Sequence, residues 1–286
     1  MLARAVSSFV DARRRPGGPA PDGSGLVVVV TGANEGIGHH ILRTLLEDGY
    51  RVACLDVDGS NVEPLAEDCP DRVAVYECDV TVDADVTRAV DAVIDEWGHI
   101  DVLVNNAAVF EFGPFEETSL EQIRREFEVN YFGYVRLIRA VLPHMTARGG
   151  GIVHNVSSGA GVTGHPSLSG YASTKGAVEA LARSLRLELA PKNVAVTLMH
   201  PSLAATRSAS RIGYPAAAMN DPADVGRGLA KQIRSTDRVI YADWGARVGI
   251  PLVRLVPAIN RWATRRFVPS ADDAEETPSA AASTRK

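Results

Sequence analysis

Four consecutive valines at 27–30 run straight into Thr31-Gly32-Ala33-Asn34-Glu35-Gly36-Ile37-Gly38, and this junction constrains the fold more than any other part of the chain. A strand of β-branched residues with no polar position leaves no face for water, so it must be covered on both sides. The glycine-rich turn after it opens a segment of helical period at about 37–48. Strand, glycine turn and helix in this order form a phosphate cradle. Gly32 allows the tight turn, Gly36 lets backbone approach a pyrophosphate and Gly38 permits close helix–sheet packing, while the helix start offers unpaired N–H groups. Alone, such a pattern reads equally well as an ordinary strand-to-helix turn. Asp56 tips the balance, because it ends the second strand twenty residues after Gly36, where an acid hydrogen-bonds an adenosine ribose.

The alternation continues downstream. Apolar runs of strand length at 26–30, 52–55, 73–76, 100–104, 152–156 and 194–199 are separated by helical segments near 37–48, 83–97, 118–147, 168–190 and 221–234, with one more strand near 238–241. This predicts an α/β fold: a single Rossmann-like, doubly wound parallel sheet with helices on both faces. We divide the chain into a flexible N-terminal extension (1–25), a dinucleotide-binding domain (26–244), a basic and apolar segment (245–269) and a disordered tail (270–286). Residues 1–25 lack the apolar run of a secretory signal. Their first ten residues read as a loose end, a short amphipathic helix or an organelle transit peptide. The segment 245–268 has five arginines, no acid and many large apolar residues. It is too interrupted to span a bilayer, and Pro251 and Pro257 are expected to break a continuous helix. Lying on an anionic membrane, covering the pocket and joining subunits all remain open for it.

Composition removes several function classes. The chain has 286 residues and a net charge of -5, with no basic footprint for a nucleic-acid backbone. Three cysteines without a C-x-x-C pair indicate neither a disulfide framework nor a cysteine zinc site and fit a reducing cytoplasm. The seven histidines show no metal-ligand spacing, so no metal is expected. His165 and His200 fall on loops expected to border a pocket.

Tyr171 and Lys175 are four apart in a helical segment and so stack on one face. Only four of the 30 basic residues are lysines, and Lys175 is one of them. A compact ammonium can approach a phenol and a ribose hydroxyl where a guanidinium fork cannot.

From the glycine turn onward the chain resembles the classical short-chain dehydrogenase/reductase family, whose pattern T-G-x-x-x-G-x-G it carries at Thr31–Gly38. The resemblance extends over about 26–206. It includes Cys78-Asp79-Val80, Asn105-Asn106-Ala107-Ala108 (the family has Gly in the last place), Asn130, Ser157-Ser158, Tyr171 to Lys175, and Pro201 to Thr206 with Ser202 in place of Gly. It implies a nicotinamide cofactor bound by Gly32, Asn34, Gly36, Ile37, Gly38 and Asp56. Further contacts are implied for Asp79, Val80, Asn105, Ala107, Tyr171, Lys175 and Thr206. The implied catalytic set is Tyr171 as acid/base, Lys175 lowering its pKa, Ser158 orienting the substrate oxygen and Asn130 completing a proton relay. Ser157 competes with Ser158, which the family pattern favours. Bringing a phenol of pKa about 10 to neutrality asks for roughly 4 kcal/mol, which the ammonium and the positive ring of an oxidised nicotinamide are expected to supply.

The resulting expectation is an NAD-dependent oxidoreductase acting on a secondary alcohol or carbonyl, with NADP disfavoured by Asp56. Val109, Phe110, Phe112, Phe115, Ile212 and Tyr214 point to an apolar substrate. The alternatives are a non-enzymatic dinucleotide sensor or scaffold on the same fold, and an epimerase or dehydratase, which the three residues between the first glycines disfavour. The resemblance also implies a homodimer or homotetramer through the helices near 118–147 and 168–190.

Overall fold

The structure is a computed structural model that describes residues 25–207, 209, 214, 219–256 and 258. Residues 1–24 of the N-terminal extension, Ile212, Pro257 and the tail expected over 270–286 lie outside these. Seven strands form one parallel sheet in the order β3-β2-β1-β4-β5-β6-β7. They are β1 (Val27–Thr31), β2 (Arg51–Asp56), β3 (Val73–Glu77), β4 (Val102–Asn105), β5 (Gly151–Val156), β6 (Val194–His200) and β7 (Val239–Tyr241).

Each valine of β1 is fully buried. Val28 and Val30 pack with Leu42 and Leu45 of helix α1 (Gly36–Glu47). Val27 and Val29 join the opposite core, which holds Val90 and Val93 from α3 (Asp83–Trp97). The period-2 side-chain alternation thus feeds two cores from one strand, as expected of a doubly wound sheet. Between β1 and β4 the strand order reverses, which opens a crevice at the strands' carboxyl ends.

The elements differ from expectation in three places. Short helices α2 (Glu63–Asp68) and α6 (Gly159–Thr163) were not foreseen, because each is too brief to show a period. The single helix expected over 118–147 is three pieces: α4 (Leu120–Phe127), a π-helical turn (Glu128–Phe132) and α5 (Gly133–Ala147). Finally, Pro251 does not end the last helix. After α7 (Ser169–Leu189) and α8 (Pro222–Ala230), helix α9 runs from Trp244 to Leu255 with Pro251 inside it. The missing N–H at 251 forgoes one bond to the carbonyl of Arg247, an exposed residue, where water can substitute. The boundary expected after 244 therefore falls on the first residue of a helix.

Candidate active site

The cradle is built as its glycines require. Gly32 and Gly36 have φ of 64° and 61°, values that side chains other than glycine adopt with strain. A Cβ on Gly38 would lie 2.2 Å from the carbonyl oxygen of Gly32, so helix α1 approaches the turn only without one. The N-cap residue of α1, Glu35, makes no side-chain cap, which leaves the first N–H groups of the helix facing the crevice.

Asp56 accepts the Asn34 N–H on Oδ2 at 2.9 Å, while Oδ1 receives a long 3.4 Å contact from Asp58 N–H. Burial raises its pKa, and the hydrogen bond from Asn34 opposes that shift. A cleft of about 960 Å³ runs from Asp56 past Asp79, Val80 and Ala107 to Tyr171, Lys175 and Thr206. These features fit a dinucleotide: a glycine turn with positive φ, an uncapped helix start and a carboxylate at the end of β2.

Asn105, expected on the cofactor side, and Asn130, expected in the proton relay, both turn their amides to protein partners. Asn105 is fully buried and donates its amide to Asn155 Oδ1 at 2.9 Å, so its side chain turns into the sheet rather than the cleft. Its neighbour Asn106 instead donates to the carbonyls of Thr31 and Gly32 and braces the cradle. Period 2 explains the exchange, since neighbouring residues of a strand face opposite ways. Asn130 is also fully buried. Its Oδ1 accepts Val109 N–H at 2.8 Å, and its Nδ2 donates to Val109 O at 2.8 Å and Thr174 Oγ1 at 3.2 Å. The amide expected in a proton relay is thus committed to a loop backbone, and it sits in the π-helical turn, a distortion common at functional sites.

The Ser158 hydroxyl opposes the upward shift of the Tyr171 phenol's pKa. Ser158 also caps α6, accepting Ala160 N–H at 3.2 Å. Ser157 points the other way, fully buried, donating to Glu179 Oε1 at 2.7 Å. The same carboxylate oxygen lies 2.9 Å from His200 Nε2. Despite burial, the partners His200 and Ser157 hold the Glu179 carboxyl below its ordinary pKa. His200 is therefore interior, not a pocket residue. His165 reaches Tyr214 OH at 2.9 Å, and Tyr214, Phe110 and Tyr171 pack against Leu168 and Ala209. Val109 and Phe110 line the cleft, whereas Phe112 and Phe115 are exposed.

In the protein alone, burial opposes the depression of the phenol expected from Lys175. Lys175 Nζ donates to Val156 O at 2.8 Å and to Tyr134 OH at 3.1 Å, and lies 5.7 Å from the centre of the Tyr171 ring. Burial lowers the lysine to about 7. Burial likewise raises Tyr171, and Glu126 pushes it the same way. Tyr134, one helical turn after Asn130, and Glu179, one turn after Lys175, are the neighbours that sequence reasoning missed; the i+4 spacing was the available signal.

Fold and cleft together define a nucleotide-binding α/β protein with Tyr171 and Lys175 in the same cleft as the glycine turn. The chain belongs to the short-chain dehydrogenase family, whose model matches residues 26–214. It is an oxidoreductase of that family. Its relatives include the 3-alpha-(or 20-beta)-hydroxysteroid dehydrogenase of Mycobacterium tuberculosis, 35% identical over 182 residues, which cover 64% of this chain and 70% of the relative. The L-fucose dehydrogenase of Mus musculus is 34% identical over 219 residues, covering 71% and 80% respectively. Among solved structures, the 3-ketoacyl-(acyl-carrier-protein) reductase of Brucella melitensis, complexed with NADH, superposes with a TM-score of 0.72 at 26% identity. That match covers 79% of this chain and 99% of the reductase. Among the described residues no cluster could hold a metal ion, and no helix is long and apolar enough to cross a membrane.

Proposed function

We propose that the protein is an NAD-preferring dehydrogenase of apolar secondary alcohols, working through Ser158, Tyr171 and Lys175. The observation that carries this reading is Tyr171 with Lys175 one helical turn away, both lining the same cleft as the glycine turn and Asp56. Gly32, Gly36, Ile37 and the start of α1 would hold the pyrophosphate and Asp56 the adenosine ribose. Asp79 and Val80 would flank the adenine, while Ala107 and Thr206 border the nicotinamide end. When bound, the nicotinamide supplies or accepts the hydride.

The chain's own residues handle the proton and the oxygen. Ser158 Oγ donates to the substrate oxygen, and Tyr171 OH passes the proton to it or takes it away. Lys175, anchored by Val156 O and Tyr134 OH, sits where an ammonium favours the phenolate. Asn130 ties the Val109 backbone to Thr174, the residue before Lys175.

Preference for NAD is supported by Asp56, whose less committed oxygen can accept a ribose hydroxyl and would repel a 2'-phosphate. The segment 206–207 adds one feature that the sequence did not suggest: Arg207 lies beside the cleft and pairs with Glu35 at 3.1 Å, so the cradle's surroundings are not wholly acidic. An apolar substrate is supported by Val109, Phe110 and Tyr214 near Tyr171, and by the hydroxysteroid relative. Self-association is supported by exposed Leu120, Phe132 and Leu187 on the helices expected at the interfaces. The test is a screen of secondary alcohols, steroids and terpenoids among them, following absorbance of the reduced cofactor with NAD and with NADP. Turnover with NAD at more than tenfold higher catalytic efficiency is expected. Nucleotide binding without turnover of any alcohol would favour the sensor or scaffold instead.

A further inference from the structure

Helix α9 carries two apolar faces where a surface helix needs one. At about 100° per residue, Ala246, Ile250 and Val253 share the side facing the protein. Ala246 is buried, and Ile250 lies against Gly159 in α6. The opposite side holds Trp244, Val248, Leu252 and Leu255, which are 74%, 45%, 44% and 78% exposed. These four fall within one arc of the helix, and Arg247 and Arg254, both exposed, run along its edge. The acid next to the helix, Asp243, is committed to capping, with Oδ1 accepting Ala246 N–H at 2.8 Å.

An isolated exposed leucine means nothing. Four large side chains aligned on one helix face, beside a row of cations, form a contiguous patch of the kind that marks an interaction surface. The charge pattern selects the partner. From Gly245 to Val268 the chain has five arginines and no acid, within a protein of net charge -5. Such segregation complements a broad anionic surface. An amphipathic helix with a basic edge and a tryptophan at its end suits the interface of an anionic bilayer, where the ring sits at headgroup level and the guanidinium groups meet phosphates. We propose that α9 docks the protein on anionic membranes through Trp244, Val248, Leu252 and Leu255, with Arg247 and Arg254 on the lipid phosphates.

The inner face gives this docking a consequence. Ile250 packs on the residue that follows Ser158, so a bilayer under α9 lies close to the substrate end of the cleft, which suits an alcohol that partitions into lipid. That orientation rests on the proposed role of Ser158; the docking itself does not.

The test is flotation of the full chain with phosphatidylglycerol vesicles and, separately, with phosphatidylcholine vesicles. Preferential flotation with phosphatidylglycerol is expected. The Arg247→Glu/Arg254→Glu variant should lose at least about tenfold in partitioning, given the attraction of each basic residue to an anionic surface. Trp244→Ser/Leu255→Ser should lose binding as well. Both pairs are solvent-exposed, and an unchanged thermal midpoint and unchanged turnover of a water-soluble alcohol would show that the variants remain folded. Failure of the unaltered chain to float with phosphatidylglycerol overturns the proposal. So does flotation that both variants retain, which would assign binding to another segment. A change in molar mass by light scattering in the variants, without flotation of the unaltered chain, would show that a second copy covers the face and likewise overturns it. Because turnover in solution is measured in parallel, loss of docking and failure of the catalytic reading are distinguishable.

Discussion

Replacing Lys175 by Met should make the protein more stable at neutral pH while removing its activity. The ammonium is 1% exposed and has two hydrogen-bond acceptors but no carboxylate partner. Burial takes its pKa from 10.5 to about 7. At 1.36 kcal/mol per pH unit this is a cost of about 4 kcal/mol at neutral pH. Between about 7 and 10.5 the unfolded chain keeps a proton that the native lysine has lost, so the unfolded state binds more protons and native stability rises with pH. The cost is therefore fully present below about 7 and fades as pH climbs to 10.5.

Methionine has similar length and no charge. It would leave Val156 O and Tyr134 OH each one partner short, at about 1 kcal/mol apiece, but these two still bond to each other at 3.3 Å. The balance is a gain of about 1 to 3 kcal/mol near pH 7, shrinking by about 3 kcal/mol near pH 10. Urea titrations of both proteins without nucleotide, at the two pH values, measure this. Turnover should fall at least about 10²-fold. A variant less stable than the parent at neutral pH, or a stability gap independent of pH, would refute the picture of a lysine held neutral-prone by burial.

Tyr171→Phe should lower turnover by about 10²- to 10⁴-fold with cofactor affinity nearly unchanged, measured by steady-state kinetics and nucleotide titration. Ser158→Ala should cut turnover, with a stability loss limited to its cap on α6, about 0.5 to 1 kcal/mol. Ser157→Ala, which strips a partner from the buried Glu179, should instead cost about 1 to 2 kcal/mol of stability; the reverse pattern would exchange the roles of the two serines. Asp56→Ala should narrow the NAD-over-NADP ratio, weakening NAD and relieving a repulsion of about 2 to 4 kcal/mol against a 2'-phosphate; equal efficiencies in the unaltered enzyme would remove Asp56 from the ribose site. His154 is fully buried between Thr197 and the carbonyl of Ile233, and burial lowers it from 6.5 to about 4. Its neutral form contributes stability at neutral pH that is lost as pH falls through that interval, about 3 kcal/mol in all, and His154→Leu should flatten the acid limb of the stability profile by that amount.

Strand β1 and its glycine turn were legible from residue types alone, because backbone sterics and burial on two faces act locally and leave a pattern in neighbouring positions. The same holds for the order of strands and helices and for the Tyr171–Lys175 stack. Choosing Ser158 over Ser157 rested on the family pattern, whereas the commitment of the Ser157 hydroxyl to Glu179 exists only in the packed fold. Side-chain partners far apart in the chain left no local trace. Nothing near Lys175 announces that its ammonium bonds Tyr134 and Val156, that Asn130 is committed to Val109, or that His200 is drawn inward by Glu179. Each of these pairings joins different elements, so it exists only once the helices have packed on the sheet. Burial itself sets the direction in which Tyr171 and Lys175 shift, and burial is a property of the packed fold that no spacing encodes.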